Sequence, residues 1–260
     1  MSEALNRPGF LIIGAQKAGT KALYVYLSEH PELTPSFRKE IHFFDNDTNF
    51  LGRGESWYHS QFPPSSENPE GVRFEATPDY LYCPMSPQRI YDYCPTIKLV
   101  ALLRDPVERA YSAWNMYRAF GGPAYPHPML RALKETRTFS EAVADELASI
   151  CSGDFYSRPG HVSRGLYHMQ LMRYLHFFGR ERILILHSRE LREHVPRTLN
   201  EVTRFLDLPK HVFTESKLFA RHVGMYHEPI PQKTRKLLSQ FYRPYNGRLY
   251  ALVGRDLGWQ

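Results

Sequence analysis

The chain has 260 residues, of which 42% are hydrophobic and 14% aromatic, a composition that indicates a folded protein and excludes a largely disordered one. This length is typical of one α/β domain, and we therefore predict a single domain over residues 1–260. The formal net charge of +6 favours anionic ligands, but it is too small to indicate a nucleic-acid partner.

The apolar segments and the cysteines indicate the cellular compartment of the protein. The longest apolar stretches, at 99–103 and 183–186, are far shorter than the roughly 20 residues that a membrane-spanning helix needs. Residues 1–8 are polar and lack the apolar core of a signal peptide. The cysteines are odd in number and lack CxxC spacing, so neither a disulfide framework nor a zinc site is predicted at Cys83, Cys94 and Cys151. We therefore expect a cytoplasmic protein with no membrane partner.

The first predicted elements are a strand, a glycine-flanked turn and a helix. Residues 10–22 read FLIIGAQKAGTKA, in which an apolar strand over Phe10–Ile13 is followed by the turn and by a helix over 20–30. This order of strand, turn and helix is suited to phosphate binding, because the first N–H groups of a helix and the positive end of its dipole are directed at an anion. Lys17 adds a charge and Thr20 a hydroxyl, although the lysine does not directly precede the threonine as a Walker A loop requires. The alternative is an ordinary strand–loop–helix with an exposed lysine.

Further along the chain, strand and helix patterns alternate. The apolar run Ile97–Leu103 is typical of a strand buried on both faces, and Asp105–Pro106 is a typical helix start. The remaining predicted elements are strands at 72–76 and 182–186 and helices at 87–93, 105–117, 139–149, 163–178, 196–206 and 232–252, the last interrupted near Pro244. This alternation predicts a three-layer, P-loop-like α/β fold with a central, mainly parallel sheet flanked by helices. In such sheets ligands bind beyond the carboxyl ends of the strands, where Lys17 and Arg104 both lie.

Arg104 and Ser112 predict a second anion site. Arg104 follows the apolar strand and offers a planar guanidinium that binds phosphate through two bonds. Ser112 lies two turns into the next helix and could donate to the same phosphate. Together with the first turn, this indicates a ligand with phosphates at two separated positions. The alternative is that Arg104 pairs with Asp105 or Glu108 at the helix start.

Several stretches of the chain resemble one enzyme family. They are GAQKAGTKAL at 14–23, EIHFFD at 40–45, LLRDPVERAYS at 102–112, SRGLYHMQLMRYLHFF at 163–178 and FYRPYNGRLYALVGRDLGW at 241–259. By their order and spacing the chain resembles the sulfotransferases that use 3′-phosphoadenosine 5′-phosphosulfate (PAPS), in particular the heparan sulfate branch and its bacterial relatives. The resemblance implies transfer of a sulfuryl group to a hydroxyl or amine of a saccharide or small polar metabolite, with 3′-phosphoadenosine 5′-phosphate (PAP) as the product.

The resemblance implies a donor site at named positions. Lys17 matches the residue at the bridging oxygen and the transferring sulfuryl group. The residues that match the loop around the 5′-phosphate are Gln16, Ala18, Gly19, Thr20, Lys21 and Ala22. Arg104 and Ser112 match the ligands of the 3′-phosphate. The residues that fall where relatives fold a loop over the 3′-phosphate and adenine are His222, Val223 and Gly224.

The resemblance also implies a catalytic and acceptor site. Glu40 matches the general base that takes the acceptor proton, and His42 is the second predicted catalytic residue. The predicted acceptor contacts are Asp45, Arg164, Tyr167 and His168. No metal is implied, because the donor leaves as an intact bisphosphate and the sequence has no HExxH or Asp-rich metal motif. From the residues alone, Glu40 could equally be a surface residue paired with Arg38 or Lys39, and His42 and His168 ordinary half-buried histidines.

The chain departs from the family pattern in ways that concern the acceptor. Ala76 stands where relatives acting on heparan sulfate carry a lysine, which argues against a heavily sulfated polymer. The stretch 222–224 replaces a Lys-Gly-Arg loop, and the cysteine pair that flanks this loop in secretory-pathway relatives is absent, as in a cytosolic enzyme of prokaryotic type. Two other functions stay open, namely a P-loop phosphotransferase and a non-catalytic PAP- or nucleotide-binding protein. The absence of the Gly-Lys-Ser/Thr motif from the sequence argues against the phosphotransferase.

Overall fold

The computed structural model describes residues 6–156, 159–213 and 228–259. They divide into two units, the first over 6–103 and 170–213 and the second over the remainder. Among the residues that are described, no helix combines the length and the apolar character needed to cross a bilayer.

A five-stranded sheet lies in the first unit, and each strand is parallel to its neighbours. In chain order the strands are β1 (Pro8–Gly14), β2 (Leu33–Pro35), β3 (Val72–Ala76), β4 (Lys98–Leu103) and β5 (Ile183–His187). The spatial order is β2-β3-β1-β4-β5, with β1 at the centre. Residues 10–13 and 99–103 have no exposed surface, as expected for strands covered on both faces. The predicted parallel α/β fold is therefore confirmed.

The helices follow the predicted pattern, with additional short ones. In chain order they are α1 (Thr20–Leu27), α2 (Gly54–His59), α3 (Asp79–Tyr82), α4 (Ser86–Tyr93), α5 (Pro106–Arg118), α6 (Pro128–Arg131), α7 (Phe139–Cys151), α8 (Tyr167–Phe177), α9 (Ser188–Glu193), α10 (Val195–Phe205) and α11 (Gln232–Val253). A π-helical turn, Thr48–Arg53, precedes α2. The elements that were not predicted (β2, α2, α3, α6 and α9) are three to six residues long, too short for a periodic pattern to be recognised.

The last helix, α11, passes through Pro244 without a break, so the predicted interruption there is wrong. A proline inside a helix removes one hydrogen bond and crowds the carbonyl four residues earlier. However, α11 keeps one face buried along its length, and Leu238 and Tyr242 on that face are fully enclosed in the core of the second unit. The Tyr242 hydroxyl also donates to the carbonyl oxygen of Val162 at 2.7 Å. This packing, rather than local propensity, determines the helix.

Candidate active site

The predicted phosphate loop connects β1 to α1 in the first unit. Gly14 ends the strand at a point that has no room for a side chain, because a Cβ atom there would lie 2.6 Å from Cβ of Leu81. Gly19 has a φ of 107°, in the left-handed region that glycine adopts readily. Lys17 also has a positive φ, of 67°, although it is not glycine. The shape of the loop therefore depends on both glycines.

The start of α1 suits a phosphate group. Among the described residues, no side chain caps the helix, and its first turn has no acidic residue, so its terminal N–H groups and positive dipole end suit an anion. Thr20 is buried at the first position, followed by exposed Lys21 and half-buried Ala22, while Ala18 is buried before them. Gln16 contributes a buried Oε1 that has no hydrogen-bond partner among the described residues. The N–H groups of the helix start and the Thr20 hydroxyl can donate hydrogen bonds to an anion, whereas the Gln16 oxygen can only accept them.

The loop over residues 40–45 is attached to the same edge of the sheet. Ile12 of β1 lies opposite Ala76 of β3, and the Ala76 carbonyl oxygen accepts a hydrogen bond from the N–H of Glu40 at 3.0 Å. Parallel strands bring their carboxyl ends to one edge of a sheet. This bond therefore holds Glu40 at the edge from which the phosphate loop leaves β1.

Backbone strain coincides with predicted site residues. Within residues 6–156, 159–213 and 228–259, positive φ values at residues other than glycine occur at Lys17 (67°), Glu40 (64°), His42 (55°) and Asp207 (59°). Such a conformation costs about 1–3 kcal/mol and persists only where the surrounding structure imposes it. Three of these four residues were predicted to be catalytic.

The Glu40 side chain lies between the ammonium group of Lys39 and the imidazole of His42. Its Oε1 is 2.6 Å from Nζ of Lys39, and its Oε2 is 3.9 Å from Nε2 of His42. The Glu40–Lys39 pair considered as an alternative is therefore present. The Glu40 side chain is nevertheless 48% exposed, so this ion pair adds little stability and the carboxylate is accessible from solvent.

His42 and Asp45 form a hydrogen-bonded pair, with 2.8 Å between Nδ1 and Oδ2. Burial disfavours the charged imidazole, but the hydrogen bond and charge of Asp45, with the charges of Asp79 and Glu40, raise the pKa of His42 to about 9. His42 is therefore protonated at neutral pH and donates to Asp45. Ligand-type atoms of His42, Asp45 and Asp79 lie within 4.8 Å of one another. A metal ion that bound here would have to displace the proton of His42, because histidine binds metals only when it is neutral.

Replacing Asp45 by asparagine is expected to lower the pKa of His42 from about 9 towards its usual value near 6.5, because the negative partner is lost. In the native protein, the raised pKa of His42 stabilises the folded state fully below about pH 6.5. This contribution to stability disappears as the pH rises through 9. An NMR titration of the imidazole measures the shift. Asp47→Asn is the control, since the Asp47 side chain is exposed and pairs with Arg89. A His42 pKa that stays near 9 in the Asp45→Asn protein would contradict this account.

The second unit contains Arg104, which lies two residues before α5, and Ser112, which lies within α5. Nη2 of Arg104 is 3.8 Å from Oε2 of Glu108, so the helix-start pairing considered as an alternative is present as a long ion pair. Asp105 caps α5 by accepting hydrogen bonds from two backbone N–H groups of the first turn. Ser112 is buried within the helix. The whole of the predicted adenine-side loop lies outside the described residues, namely His222, Val223 and Gly224.

The predicted acceptor residues of the second unit are largely enclosed. Arg164 is buried, and its Nε donates to a backbone carbonyl oxygen at 3.2 Å. Tyr167 is buried, which raises its pKa to about 12, and its hydroxyl donates to the carbonyl oxygen of Arg104 at 2.9 Å. His168 is half-buried, and burial together with the charge of Arg248 lowers its pKa. Contact of these three residues with an acceptor stays a prediction.

One residue of interest was not predicted: Glu75, which is fully buried in β3. Its carboxylate accepts hydrogen bonds from the hydroxyls of Thr77 and Tyr80, each at 2.6 Å. The signal in the sequence was its place in the segment EATP at 75–78, which was compared with a Glu-Lys-Ser/Thr-Pro motif of relatives only for the lysine that Ala76 replaces. Its partners come together only in the folded chain.

The chain is similar to proteins of one family. Residues 7–219 match the family model described as the sulfotransferase domain. The chain is 27% identical to bifunctional heparan sulfate N-deacetylase/N-sulfotransferase 4 of Mus musculus, over 95% of this chain and 30% of the mouse protein. It is 29% identical to heparan sulfate glucosamine 3-O-sulfotransferase 5 of Homo sapiens, over 97% of this chain and 74% of the human protein. The chain thus spans less than a third of the first relative and about three quarters of the second.

The fold is similar to that of a bacterial protein. The crystal structure of a sulfotransferase from Alicyclobacillus acidocaldarius is 30% identical in sequence, with a TM-score of 0.76, over 96% of this chain and 97% of that one. The family model matches most of the chain, and the bacterial structure matches nearly all of it. The chain therefore belongs to the sulfotransferase domain family.

Proposed function

We propose that this protein transfers the sulfuryl group of PAPS to a hydroxyl or amine of a saccharide or a small polar metabolite. The observation that carries the proposal is the strained backbone at Lys17, Glu40 and His42, the positions that match the family's charge-stabilising and base residues. The two loops that contain them meet the sheet at one edge of β1 and β3. Ligands of parallel sheets bind at this edge.

The donor contacts are proposed in two groups. We assign the 5′ end of PAPS to residues 16–22, supported by the uncapped start of α1. We assign the 3′-phosphate to Arg104 and Ser112, supported by the family match, together with 222–224 on the adenine side. When bound, PAPS supplies the activated sulfuryl group, and its 5′-phosphate is the leaving group.

Lys17 and Glu40 have complementary roles in this proposal. Negative charge builds on the phosphate oxygen as its bond to sulfur breaks, and a cation at Lys17 stabilises that charge. Glu40 takes the proton of the acceptor as the new bond to sulfur forms. Protonated His42, held by Asp45 and 3.9 Å from Glu40, offsets the negative charge of the two carboxylates.

A saccharide is the acceptor class that the relatives support. One relative is named for heparan sulfate N-sulfotransfer and another for 3-O-sulfotransfer to heparan sulfate glucosamine. The proposed acceptor contacts are Asp45, Arg164, Tyr167 and His168. Because Ala76 replaces the family lysine, one cation that would meet a sulfated polymer is missing. We therefore favour a less charged saccharide or small metabolite.

We also propose that residues 1–260 act as one catalytic domain in the cytoplasm. The bacterial relative matches 96% of this chain within a single polypeptide, which supports one functional domain. Cys83, Cys94 and Cys151 are free thiols, as is usual in a reducing compartment.

Calorimetric titration with PAP and ATP tests the donor assignment. We expect PAP to bind and ATP to bind much more weakly, because ATP lacks a 3′-phosphate for Arg104. Arg104→Ala should weaken PAP binding by about 2–4 kcal/mol if the lost charge-assisted bond is desolvated. The control is Arg243→Ala, which removes an exposed arginine of α11.

Two outcomes would contradict the assignment. Tighter binding of ATP than of PAP would favour a phosphotransferase. Unchanged PAP affinity together with a lower melting temperature in Arg104→Ala would indicate that Arg104 serves only its ion pair with Glu108. A panel of sugars and hydroxylated metabolites incubated with sulfate-labelled PAPS then tests transfer, and binding of PAP without transfer to any of them would support a non-catalytic protein.

A further inference from the structure

Glu75 is a carboxylate buried among hydroxyl groups. Its Oε2 accepts a hydrogen bond from Thr77 at 2.6 Å, and its Oε1 accepts from Tyr80 at 2.6 Å and from Tyr58 at 3.0 Å. All four side chains are fully buried. Burial raises the pKa of Glu75, while the three hydrogen bonds act against that rise by stabilising the ionised form. A buried acid held in this way needs a structural or functional reason.

Two of the three hydroxyls also hold the loop over residues 40–45. The backbone N–H of Phe43 donates to the Tyr80 hydroxyl at 3.0 Å, and the backbone N–H of His42 donates to Oγ1 of Thr77 at 3.4 Å. A hydroxyl has one hydrogen, so accepting from the loop leaves that hydrogen directed at Glu75. The Tyr80 and Thr77 hydroxyls thus connect the carboxylate to consecutive peptide groups of the loop.

The loop needs such support because its backbone is strained. Glu40 and His42 both have left-handed φ values, which only a few per cent of residues other than glycine adopt. The N–H of Glu40 is held by the carbonyl oxygen of Ala76, the residue next to Glu75 in β3. The end of β3 and its hydroxyl partners therefore hold residues 40, 42 and 43.

We propose that Glu75 is a positioning residue for sulfuryl transfer, acting through the hydroxyls of Tyr80 and Thr77 to fix the backbone that presents Glu40 and His42. It does not touch the reacting atoms itself. The inference rests on the proposed function of Glu40 and His42, but its structural part can be measured without any acceptor.

The test compares Tyr80→Phe with Tyr58→Phe. Each variant keeps the aromatic ring and removes one hydroxyl from the same oxygen of Glu75, but only Tyr80 also binds the loop backbone. Tyr80→Phe is expected to lower kcat by about 10- to 100-fold with PAP affinity unchanged, as a small displacement of a reacting group does. It should also lower the pKa of His42 from about 9, because Asp45, Asp79 and Glu40 no longer face the imidazole in fixed positions. Tyr58→Phe should leave kcat and the His42 pKa unchanged.

The direct variant, Glu75→Gln, should behave like Tyr80→Phe. Both carboxylate oxygens of Glu75 accept hydrogen bonds from hydroxyls, whereas the NH₂ group of glutamine can only donate. If this protein does not fold, the tyrosine pair decides the question. Equal losses of kcat in both tyrosine variants, or a Tyr80→Phe protein with wild-type kcat and a His42 pKa near 9, would overturn the proposal. Absence of transfer in the wild-type protein would refute the proposed function instead, while the NMR titration would still show whether Tyr80 holds the loop.

Discussion

Replacing Lys17 by alanine is expected to lower kcat for sulfuryl transfer by about 100- to 1,000-fold, the usual effect of removing one group that stabilises charge in a transition state. The charge on the leaving oxygen is larger in the transition state than in bound PAPS, so the affinity for PAPS should fall much less than the rate. Initial rates with sulfate-labelled PAPS give kcat, and calorimetry with PAPS in the absence of an acceptor gives the affinity. The reason for a large effect is the position of Lys17, at the turn between β1 and an uncapped helix start.

The control for this prediction is Lys236→Ala, which removes a lysine of the same charge from an exposed position on α11. It should keep both the rate and the affinity of the wild-type protein. If Lys17→Ala lost affinity for PAPS but kept the wild-type kcat, Lys17 would serve binding alone, and its assignment to the transferring group would be wrong.

Glu40→Gln is expected to retain PAP affinity and to lose about 10²–10⁴-fold in kcat, the contribution typical of a general base. The amide has nearly the same shape as the carboxylate but cannot take a proton at neutral pH. Because the Glu40 side chain is 48% exposed, the substitution should hardly change stability, so a loss of rate reports on chemistry. Rates and PAP affinity are measured on the same preparation.

The matched control is Glu70→Gln, an exposed glutamate in the loop before β3. A Glu40→Gln protein that kept the wild-type rate would show that another group takes the acceptor proton. Retention of rate together with a changed salt dependence would indicate that Glu40 serves mainly its ion pair with Lys39.

The parts of the fold that were predictable are those with local causes. β4 follows from a continuous run of apolar residues, and it is fully buried from Leu99 to Leu103. The start of α5 follows from an aspartate before a proline, and Asp105 accepts the hydrogen bonds of the first turn as this pattern predicts. The glycine-flanked turn after β1 was also recognisable, but only Gly19 has a local cause, its positive φ, whereas Gly14 is required by its contact with the distant Leu81.

The remaining features depend on residues distant in sequence. β2 has only three residues and includes Pro35, so its pairing with β3 is visible only in the folded chain. The positive φ values at Glu40 and His42 have no signal in the residue types, which favour other conformations. Tyr58 lies 17 residues before Glu75, and no periodicity connects them. The residue types of the site could thus be predicted, but not what holds them in place.

The strand order has a consequence for synthesis of the chain on the ribosome. β4 pairs with β1 on one side and with β5 on the other, and β5 begins only after residues 104–182 have been made. At typical rates of translation, that interval takes roughly 4–16 seconds. During this time β4, which is apolar from Leu99 to Leu103, has an open hydrogen-bonding edge, the kind of surface on which nascent chains associate with one another. Efficient production of this protein therefore depends on how well that edge is protected until β5 emerges.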